Sequence, residues 1–255
     1  MSLEGKTLIV TGGNSGIGEA IACAAARSGA NIVVDYVVNP AETDRVIENV
    51  EQAGGKAVGV RADVTRLDDL RTMVRKAVDT FGGLDVLVNN AGIETRTSLL
   101  ETSEEDYDKV MSVNLKSAFF GSQVAGRYFI DARREGLIIN VSSVHEEWPM
   151  PGNTAYCVAK GGMRMLTRTA GVELAGRGVR MINVGPGAVA TPINQSTMDD
   201  PDELERLESA IPMGRMARPE EIGDLVAMLA TSTARYLTAT TVFTDGGIMQ
   251  GGLGL

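Results

Sequence analysis

The chain has 255 residues, of which 44% are apolar and 22% are charged. These fractions lie near globular averages and exclude a disordered, collagenous or coiled-coil chain. The net charge of −9 repels phosphate backbones and anionic lipids, so we expect no nucleic-acid partner and no membrane partner. One histidine and two widely separated cysteines offer no metal-ligand spacing, and we therefore expect a cytoplasmic protein without a metal site.

Short β-branched runs alternate along the chain with longer stretches of helical period. Strands are predicted at residues 7–10, 31–34, 57–60, 84–88, 137–141, 179–183 and 241–244. Helices are predicted at 16–28, 41–53, 66–81, 103–134 (broken in two near Asn114), 155–175 and 219–231. Strands that are apolar on both faces belong to a parallel sheet covered by helices. The pattern predicts a Rossmann-type, doubly wound α/β fold, with a seven-stranded parallel sheet and helices on both faces.

No repeat, low-complexity tract or linker interrupts this alternation, so residues 1–255 are predicted to form a single domain. The least regular stretch is 185–213, which is rich in Pro, Gly, Asp and Ser. A loop of that length in a compact domain is usually a lid or a binding segment. We therefore interpret 185–213 as a substrate loop or lid.

A glycine-rich turn, Thr-Gly-Gly-Asn-Ser-Gly-Ile-Gly at 11–18, follows the first strand and opens the first helix. Gly12, Gly16 and Gly18 permit a tight turn, close approach of the backbone to a pyrophosphate, and close packing of helix on strand. The helix N-terminus adds N–H donors and a positive potential. Turn chemistry alone would also explain these glycines, but their place between a strand and a helix favours a dinucleotide cofactor.

The residues that read the adenosine ribose are expected near the end of the second strand, where Asp35 and Tyr36 stand. A carboxylate accepts a hydrogen bond from a free 2′-hydroxyl and repels a 2′-phosphate. Val37 and Val38 offer only apolar surface, although Arg45 on the following helix could reach a phosphate. We therefore expect NAD in preference to NADP.

Tyr156 and Lys160 are four residues apart on a predicted helix and so share one face. Ser143 stands at a strand end, thirteen residues before Tyr156. Free tyrosine titrates near pH 10, and a nearby cation is the natural means of making it a base near neutrality. Combined with the cofactor turn, these residues indicate a catalytic site.

Further motifs stand at Asp63-Val64, 89–92 (Asn-Asn-Ala-Gly), Asn114, Pro186-Gly187 and Thr191. Taken in order with the motifs above, they resemble the short-chain dehydrogenase/reductase family over residues 3–247. The resemblance implies a nicotinamide-dependent oxidoreductase in which Tyr156 is the general base and Lys160 lowers its pKa. It implies that Ser143 hydrogen-bonds the reacting oxygen and that Asn114 holds a water in a proton relay. Ala159, where the family often has serine, is a departure outside these four positions. The cofactor residues it implies are Gly12, Asn14, Ser15, Gly16, Ile17, Gly18, Asp35, Tyr36, Asp63, Val64, Asn90, Gly92, Tyr156, Lys160, Pro186, Gly187, Val189 and Thr191.

Several longer stretches resemble bacterial glucose 1-dehydrogenases within that family, which implies oxidation of a secondary alcohol or sugar hydroxyl, such as glucose C1 to gluconolactone. By this resemblance Glu94, His145 and Asn194 would line a sugar pocket with Ser143 and Tyr156. Segments 148–154 and 251–255 depart from those enzymes and leave the substrate open. A 3-oxoacyl or other ketone reductase and a non-catalytic nicotinamide sensor are the alternatives.

The long predicted helices at 103–134 and 155–175 carry more apolar and small residues than one buried face requires. Such a surplus is typical of helices that pack against another subunit. The resemblance points the same way, and we expect a homotetramer.

Overall fold

The structure is a computed structural model and describes residues 2–37 and 40–251. Val38, which the sequence places on the apolar surface beyond the second strand, lies outside the described residues. So do residues 252–255, most of the C-terminal segment that departs from the glucose dehydrogenases.

Seven strands form one sheet in the order β3-β2-β1-β4-β5-β6-β7. Every neighbouring pair is parallel, which confirms the predicted fold class. The strand order reverses between β1 and β4, the place where doubly wound sheets open a crevice at the carboxyl ends of their strands. The strands are β1 Thr7–Val10, β2 Asn31–Tyr36, β3 Lys56–Arg61, β4 Val86–Asn89, β5 Gly136–Val141, β6 Val179–Pro186 and β7 Thr240–Thr244.

Helices cover both faces of the sheet, and each face has its own apolar core. Helices α1, α2 and α9 pack on one face, and α3, α5 and α6 pack on the other. Successive strand residues point to opposite faces, so Val34 joins the first core and Val33 the second. The helices are α1 Gly16–Arg27, α2 Pro40–Gln52, α3 Leu67–Phe81, α4 Glu104–Met111, α5 Ser117–Asp131, α6 Thr154–Ala175, α7 Gln195–Met198, α8 Pro201–Ala210, α9 Pro219–Ala230 and α10 Ile248–Gly251.

Two of the predicted elements differ in the structure. The break expected near Asn114 is a π-helical turn, Ser112–Lys116, through which α4 continues into α5. The irregular stretch expected at 185–213 contains a 3-10 turn at Pro192–Asn194 and the helices α7 and α8. Pro192 and Pro201 stand at the starts of these elements, because a proline at the first helical position lacks only an N–H that would be unpaired there anyway.

Candidate active site

A cleft of about 500 Å³ opens at the carboxyl ends of β1, β2, β4, β5 and β6. It brings together most of the residues that the sequence predicts for the cofactor and for catalysis. Those that line it are Gly12, Asn14, Ser15, Gly16, Ile17, Asp35, Tyr36, Asp63, Val64, Asn90, Gly92, Ser143, Tyr156, Lys160, Pro186, Gly187, Val189, Thr191 and Asn194.

The glycine-rich turn has a backbone that side chains would obstruct. Gly12 and Gly16 have φ values of 60° and 53°, in the left-handed region that glycine adopts without strain. A Cβ at Gly18 would overlap the carbonyl of Gly12, so this glycine serves the packing of α1 behind the turn. Asn90 donates from Nδ2 to the carbonyls of Thr11 and Gly12 at 2.9 and 3.2 Å. The turn is thus fixed to the end of β4.

Two features fit the cleft to a dinucleotide. The side chain of Ser15, at the N-cap of α1, makes no capping hydrogen bond, so it does not compete for the N–H groups of the first helical turn. The hydroxyl of Ser142 is buried in the cleft wall and has no hydrogen-bond partner within the described part of the chain. A group with both donors and acceptors would satisfy these sites.

Asp35 makes a contact that the sequence did not predict. Its Oδ1 accepts a hydrogen bond from the Gly12 N–H at 2.6 Å, and the residue is only 3% exposed. Burial raises the pKa of this carboxyl to about 7, although hydrogen bonds from the backbone of Gly12 and Gly13 lower it. The carboxyl group of Asp35 thus holds the glycine-rich turn in place. Its Oδ1 is bonded to Gly12, whereas the sequence predicted that the carboxylate would accept from the ribose.

The outer rim beside Asp35 carries exposed apolar surface. Val37 is 47% exposed. Arg45, which could have reached a phosphate, donates from both terminal nitrogens to the carboxylate of Glu19 at 2.6 and 2.8 Å. Within the described cleft lining, Lys160 is the one basic side chain.

Ser143, Tyr156 and Lys160 meet at the floor of the cleft. Ser143 ends β5 and caps a 3-10 turn at Val144–Glu146, its Oγ accepting from the His145 N–H at 3.1 Å. Tyr156 and Lys160 lie one turn apart on α6, with Lys160 Nζ 5.4 Å from the centre of the tyrosine ring. Lys160 Nζ also donates to the Val141 carbonyl at 2.8 Å.

Burial is the largest cause of the pKa shifts of both members of this pair. Burial raises the pKa of the Tyr156 phenol to about 12, the hydrogen bond with Ser143 lowers it, and the nearby charge of Glu94 raises it further. Burial lowers the pKa of Lys160 to about 8, and the charge of Glu146 opposes that shift.

Asn114 sits in the π-helical turn, a local feature that is frequent at functional sites. Its side chain is fully buried and binds the Ile93 backbone twice. Nδ2 donates to the carbonyl at 2.7 Å, and Oδ1 accepts from the N–H at 2.8 Å. Asn114 thereby holds the loop after β4 against the cleft, a contact that the expected water-holding role did not include.

The predicted substrate residues lie around the outer part of the cleft. His145 packs edge-on against Tyr156 with ring centres 6.3 Å apart, and its Nδ1 bonds the Trp148 carbonyl at 3.0 Å. Glu94 lines an adjoining cavity of about 340 Å³. Asn194 donates from Nδ2 to the Val189 carbonyl at 2.9 Å.

Sequence reasoning missed four polar residues of this region, namely Arg96, Ser142, Glu146 and Asn153. Each stands in an irregular segment or at an element end, where no periodic pattern marks it. The departure of segment 148–154 from the glucose enzymes was a signal that could have directed attention to Asn153.

In the described ranges 2–37 and 40–251, no helix has the length and apolar character needed to cross a bilayer. The same residues contain no group of three or more His, Cys, Asp or Glu side chains that could hold a metal ion.

Comparison with known proteins identifies the family. A family model described as enoyl-(acyl carrier protein) reductase matches residues 12–249. The chain is 40% identical to 3beta-hydroxysteroid dehydrogenase 1 of Eggerthella lenta, over 96% of this chain and 94% of that protein. It is 38% identical to glucose 1-dehydrogenase 2 of Bacillus subtilis, over 96% and 95% respectively. With 3-oxoacyl-(acyl-carrier-protein) reductase FabG of Thermotoga maritima it shares 37% identity, over 98% of this chain and all of that protein.

Solved structures agree with these relatives. A short-chain dehydrogenase/reductase from Mycobacterium marinum superposes with a TM-score of 0.92 at 31% identity, covering 98% of this chain and 97% of that one. A structure from Agrobacterium tumefaciens that contains bound NADP superposes with a TM-score of 0.90 at 31% identity, covering 97% and 98%. The matching fold, the motifs in order and the full-length relatives lead to one conclusion. This chain belongs to the short-chain dehydrogenase/reductase family of oxidoreductases.

Proposed function

We propose that the protein oxidises a secondary alcohol or sugar hydroxyl with NAD, using Tyr156 as the base. The observation that carries this proposal is the meeting of Ser143, Tyr156 and Lys160 on the floor of the cleft that holds the glycine-rich turn. There the phenol can accept a proton from the substrate, the hydroxyl can bond the substrate oxygen, and the ammonium can stabilise the phenolate. A binding protein that only senses the cofactor has no use for such a base.

The base must lose its proton near neutral pH, so the phenol pKa has to fall from about 12 during the reaction. Ser143 acts in that direction through its hydrogen bond, and Lys160 through its charge. Oxidised nicotinamide, when bound, would supply the hydride acceptor and a positive charge. Tyr156 then takes the substrate hydroxyl proton while Ser143 donates a hydrogen bond to the oxygen that becomes a carbonyl.

NAD is the proposed cofactor because the adenosine end of the cleft carries acidic side chains, Asp35 and Asp63, and its described residues provide no cation. The 2′-phosphate of NADP carries nearly two negative charges and needs cations to be bound well. The buried position of Asp35 weakens its direct repulsion, so the preference depends on the apolar rim at Val37 and on the pairing of Arg45 with Glu19. We expect NAD to exceed NADP in kcat/KM by about tenfold, or about 1.4 kcal/mol.

A hydroxyl-rich substrate fits the outer cleft. Glu94, His145 and Asn194 place carboxylate, imidazole and amide groups around Tyr156. A polar wall of this kind can exchange hydrogen bonds with substrate hydroxyls, so it favours a polyol or sugar over an alkyl ketone. Glucose C1, oxidised to gluconolactone, is the first substrate to test, and the segment within 185–213 that follows β6 would close over it.

A substrate panel tests the proposal. Purified protein is assayed with NAD and with NADP against glucose, other sugars and polyols, a 3β-hydroxysteroid and a 3-oxoacyl thioester, and the reduced nicotinamide is followed by absorbance. Turnover of a sugar or polyol with NAD is the expected result. Reduction of the thioester with NADPH in preference would support the ketone reductase instead, and binding without any turnover would support a sensor.

The same helices that carry the site have an unpartnered apolar groove, which we assign to a second copy of the chain. The groove has a volume of about 590 Å³ between α5 and α6. Val158, Met165 and Val172 follow one another at seven-residue spacing along α6 and are all exposed. A stripe at that spacing suits packing against another helix, and it supports the expected homotetramer.

A further inference from the structure

Arg96 joins two loops that face each other across the outer end of the cleft. It lies in the loop after β4, and its guanidinium reaches the segment 192–198, beyond the end of β6. Nη1 donates to Ser196 Oγ at 3.0 Å and to Thr197 Oγ1 at 3.4 Å, and Nη2 donates to Asn194 Oδ1 at 3.3 Å. A single side chain therefore contacts three polar residues of that segment.

The guanidinium is itself held from the other side. Arg96 Nε donates to Glu94 Oε1 at 2.5 Å, and Glu94 Oε2 accepts from Asn153 Nδ2 at 3.0 Å. Asn153 is only 1% exposed, and the Glu94 side chain is 13% exposed. Because the carboxylate rests on a buried amide, this ion pair is more fixed in position than one between two solvent-exposed side chains.

The backbone of Arg96 has a strained conformation that its contacts must stabilise. Its φ is 53°, in the left-handed region where a side chain costs energy that glycine avoids. Residues held in this way persist only where surrounding contacts fix them, and they concentrate at functional sites. The four hydrogen bonds of the guanidinium are the contacts that fix this one.

We propose that Arg96 is a positioning residue that fastens segment 192–198 over the outer cleft and thereby sets the affinity for substrate. The cavity of about 340 Å³ beside it is bounded by both loops, with Glu94 and Arg96 on one side and Ile193 and Ser196 on the other. Loosening the segment would open this cavity. The effect on affinity rests on the proposed function, whereas the fastening itself does not.

Hydrogen exchange tests the fastening without any substrate. Arg96→Gly removes the side chain and suits the backbone angle, so the fold should be kept. Arg133→Gly is the matched control, because Arg133 also has a φ of 53° and makes no side-chain hydrogen bond or ion pair to any described residue. Amides in peptides spanning 192–200 should exchange about tenfold faster in Arg96→Gly than in the wild type. The control should leave them unchanged.

Arg96→Lys gives a second measurement that does not depend on glycine at this position. Lysine keeps the charge but lacks the planar fork that reaches several acceptors at once, so exchange should fall between that of the wild type and that of Arg96→Gly. Unchanged exchange at 192–200 in both variants would overturn the proposal.

Kinetics then test the consequence for affinity. With a substrate found in the panel, Arg96→Gly should raise the KM for that substrate about tenfold and change kcat and the KM for the nicotinamide by less than about twofold. Faster exchange with an unchanged substrate KM would overturn the role in affinity. Faster exchange in a protein whose wild type turns over nothing would refute the proposed function and leave the fastening supported.

Discussion

Asp35 makes the stability of this protein depend on pH in an unusual direction. Its pKa is raised from 3.8 to about 7 because the carboxyl is buried beneath the glycine-rich turn. Between these two values the folded protein holds a proton that the unfolded chain releases. Stability therefore falls as pH rises through this window, whereas a salt-bridged carboxylate with a lowered pKa would have the opposite effect.

The two pKa values give the size of the effect. Raising the pH from about 5 to about 8 should cost about 3 kcal/mol of folding free energy through this one group. Asp35→Asn cannot ionise, yet it keeps an amide oxygen that can accept the hydrogen bond from Gly12. The variant should therefore lack this part of the pH dependence.

Urea unfolding of the wild type and Asp35→Asn at several pH values measures the difference, at one protein concentration so that association does not intervene. An exposed replacement, Asp79→Asn, controls for the loss of one negative charge. The wild type should lose about 3 kcal/mol more than Asp35→Asn between about pH 5 and about pH 8. Parallel stability curves for the two proteins would refute the reasoning.

Three further predictions concern the site and the assembly. Tyr156→Phe should lower turnover at least about 100-fold while keeping cofactor affinity, since it removes the proton acceptor and little contact area; near-wild-type rates would exclude Tyr156 as the base. Lys160→Ala should weaken both cofactor binding and turnover, as followed by titration and steady-state rates, and an unchanged cofactor Kd would contradict its double role. Met165→Glu places a charge on a side chain that is 55% exposed in the α5–α6 groove and should lower the mass seen by light scattering, whereas Leu100→Glu, at a site 96% exposed elsewhere, should not.

The sheet was predictable because each strand carries a run of β-branched residues that suits burial on both faces. The start of α4 was predictable because Ser103 can cap a helix, and its Oγ accepts from the Asp106 N–H at 3.0 Å. The sequence did not predict the helices within 185–213, because a proline is compatible both with a loop and with the first turn of a helix. Asp200 caps α8 by accepting from the N–H groups of Asp202 and Glu203 at 3.0 and 3.1 Å, so Pro201 begins a helix there.

The role of Asp35 depends on a direction that the sequence does not give. Asp35 and Tyr36 are neighbours at the end of β2, and side chains alternate between the two faces of a sheet. A shift of one residue decides which of them faces the cofactor and which faces the interior. The structure turns Asp35 toward Gly12, and that contact is between residues 23 positions apart.

Polar residues inside the strands show why the sequence pattern could not predict part of the site. Asn89, Asn140 and Asn183 interrupt apolar runs, and taken one at a time they would only weaken a strand. The parallel register aligns them: Asn89 pairs with Asn140, and Asn140 with Asn183. Asn89 Nδ2 donates to Asn140 Oδ1 at 2.8 Å, and Asn140 Nδ2 approaches Asn183 Oδ1 at 3.3 Å.

This chain of amides ends on the turn that carries Ser143. Asn183 Nδ2 donates to Glu146 Oε2 at 2.9 Å, and Thr241 Oγ1 donates to Glu146 Oε1 at 2.5 Å. Glu146 is buried and stands three residues after Ser143. A buried polar network is costly when one member lacks a partner and rigid when all are satisfied. The position of Ser143, the proposed catalytic serine, therefore depends on strand residues whose contribution appears only when the register of β4, β5, β6 and β7 brings them into line.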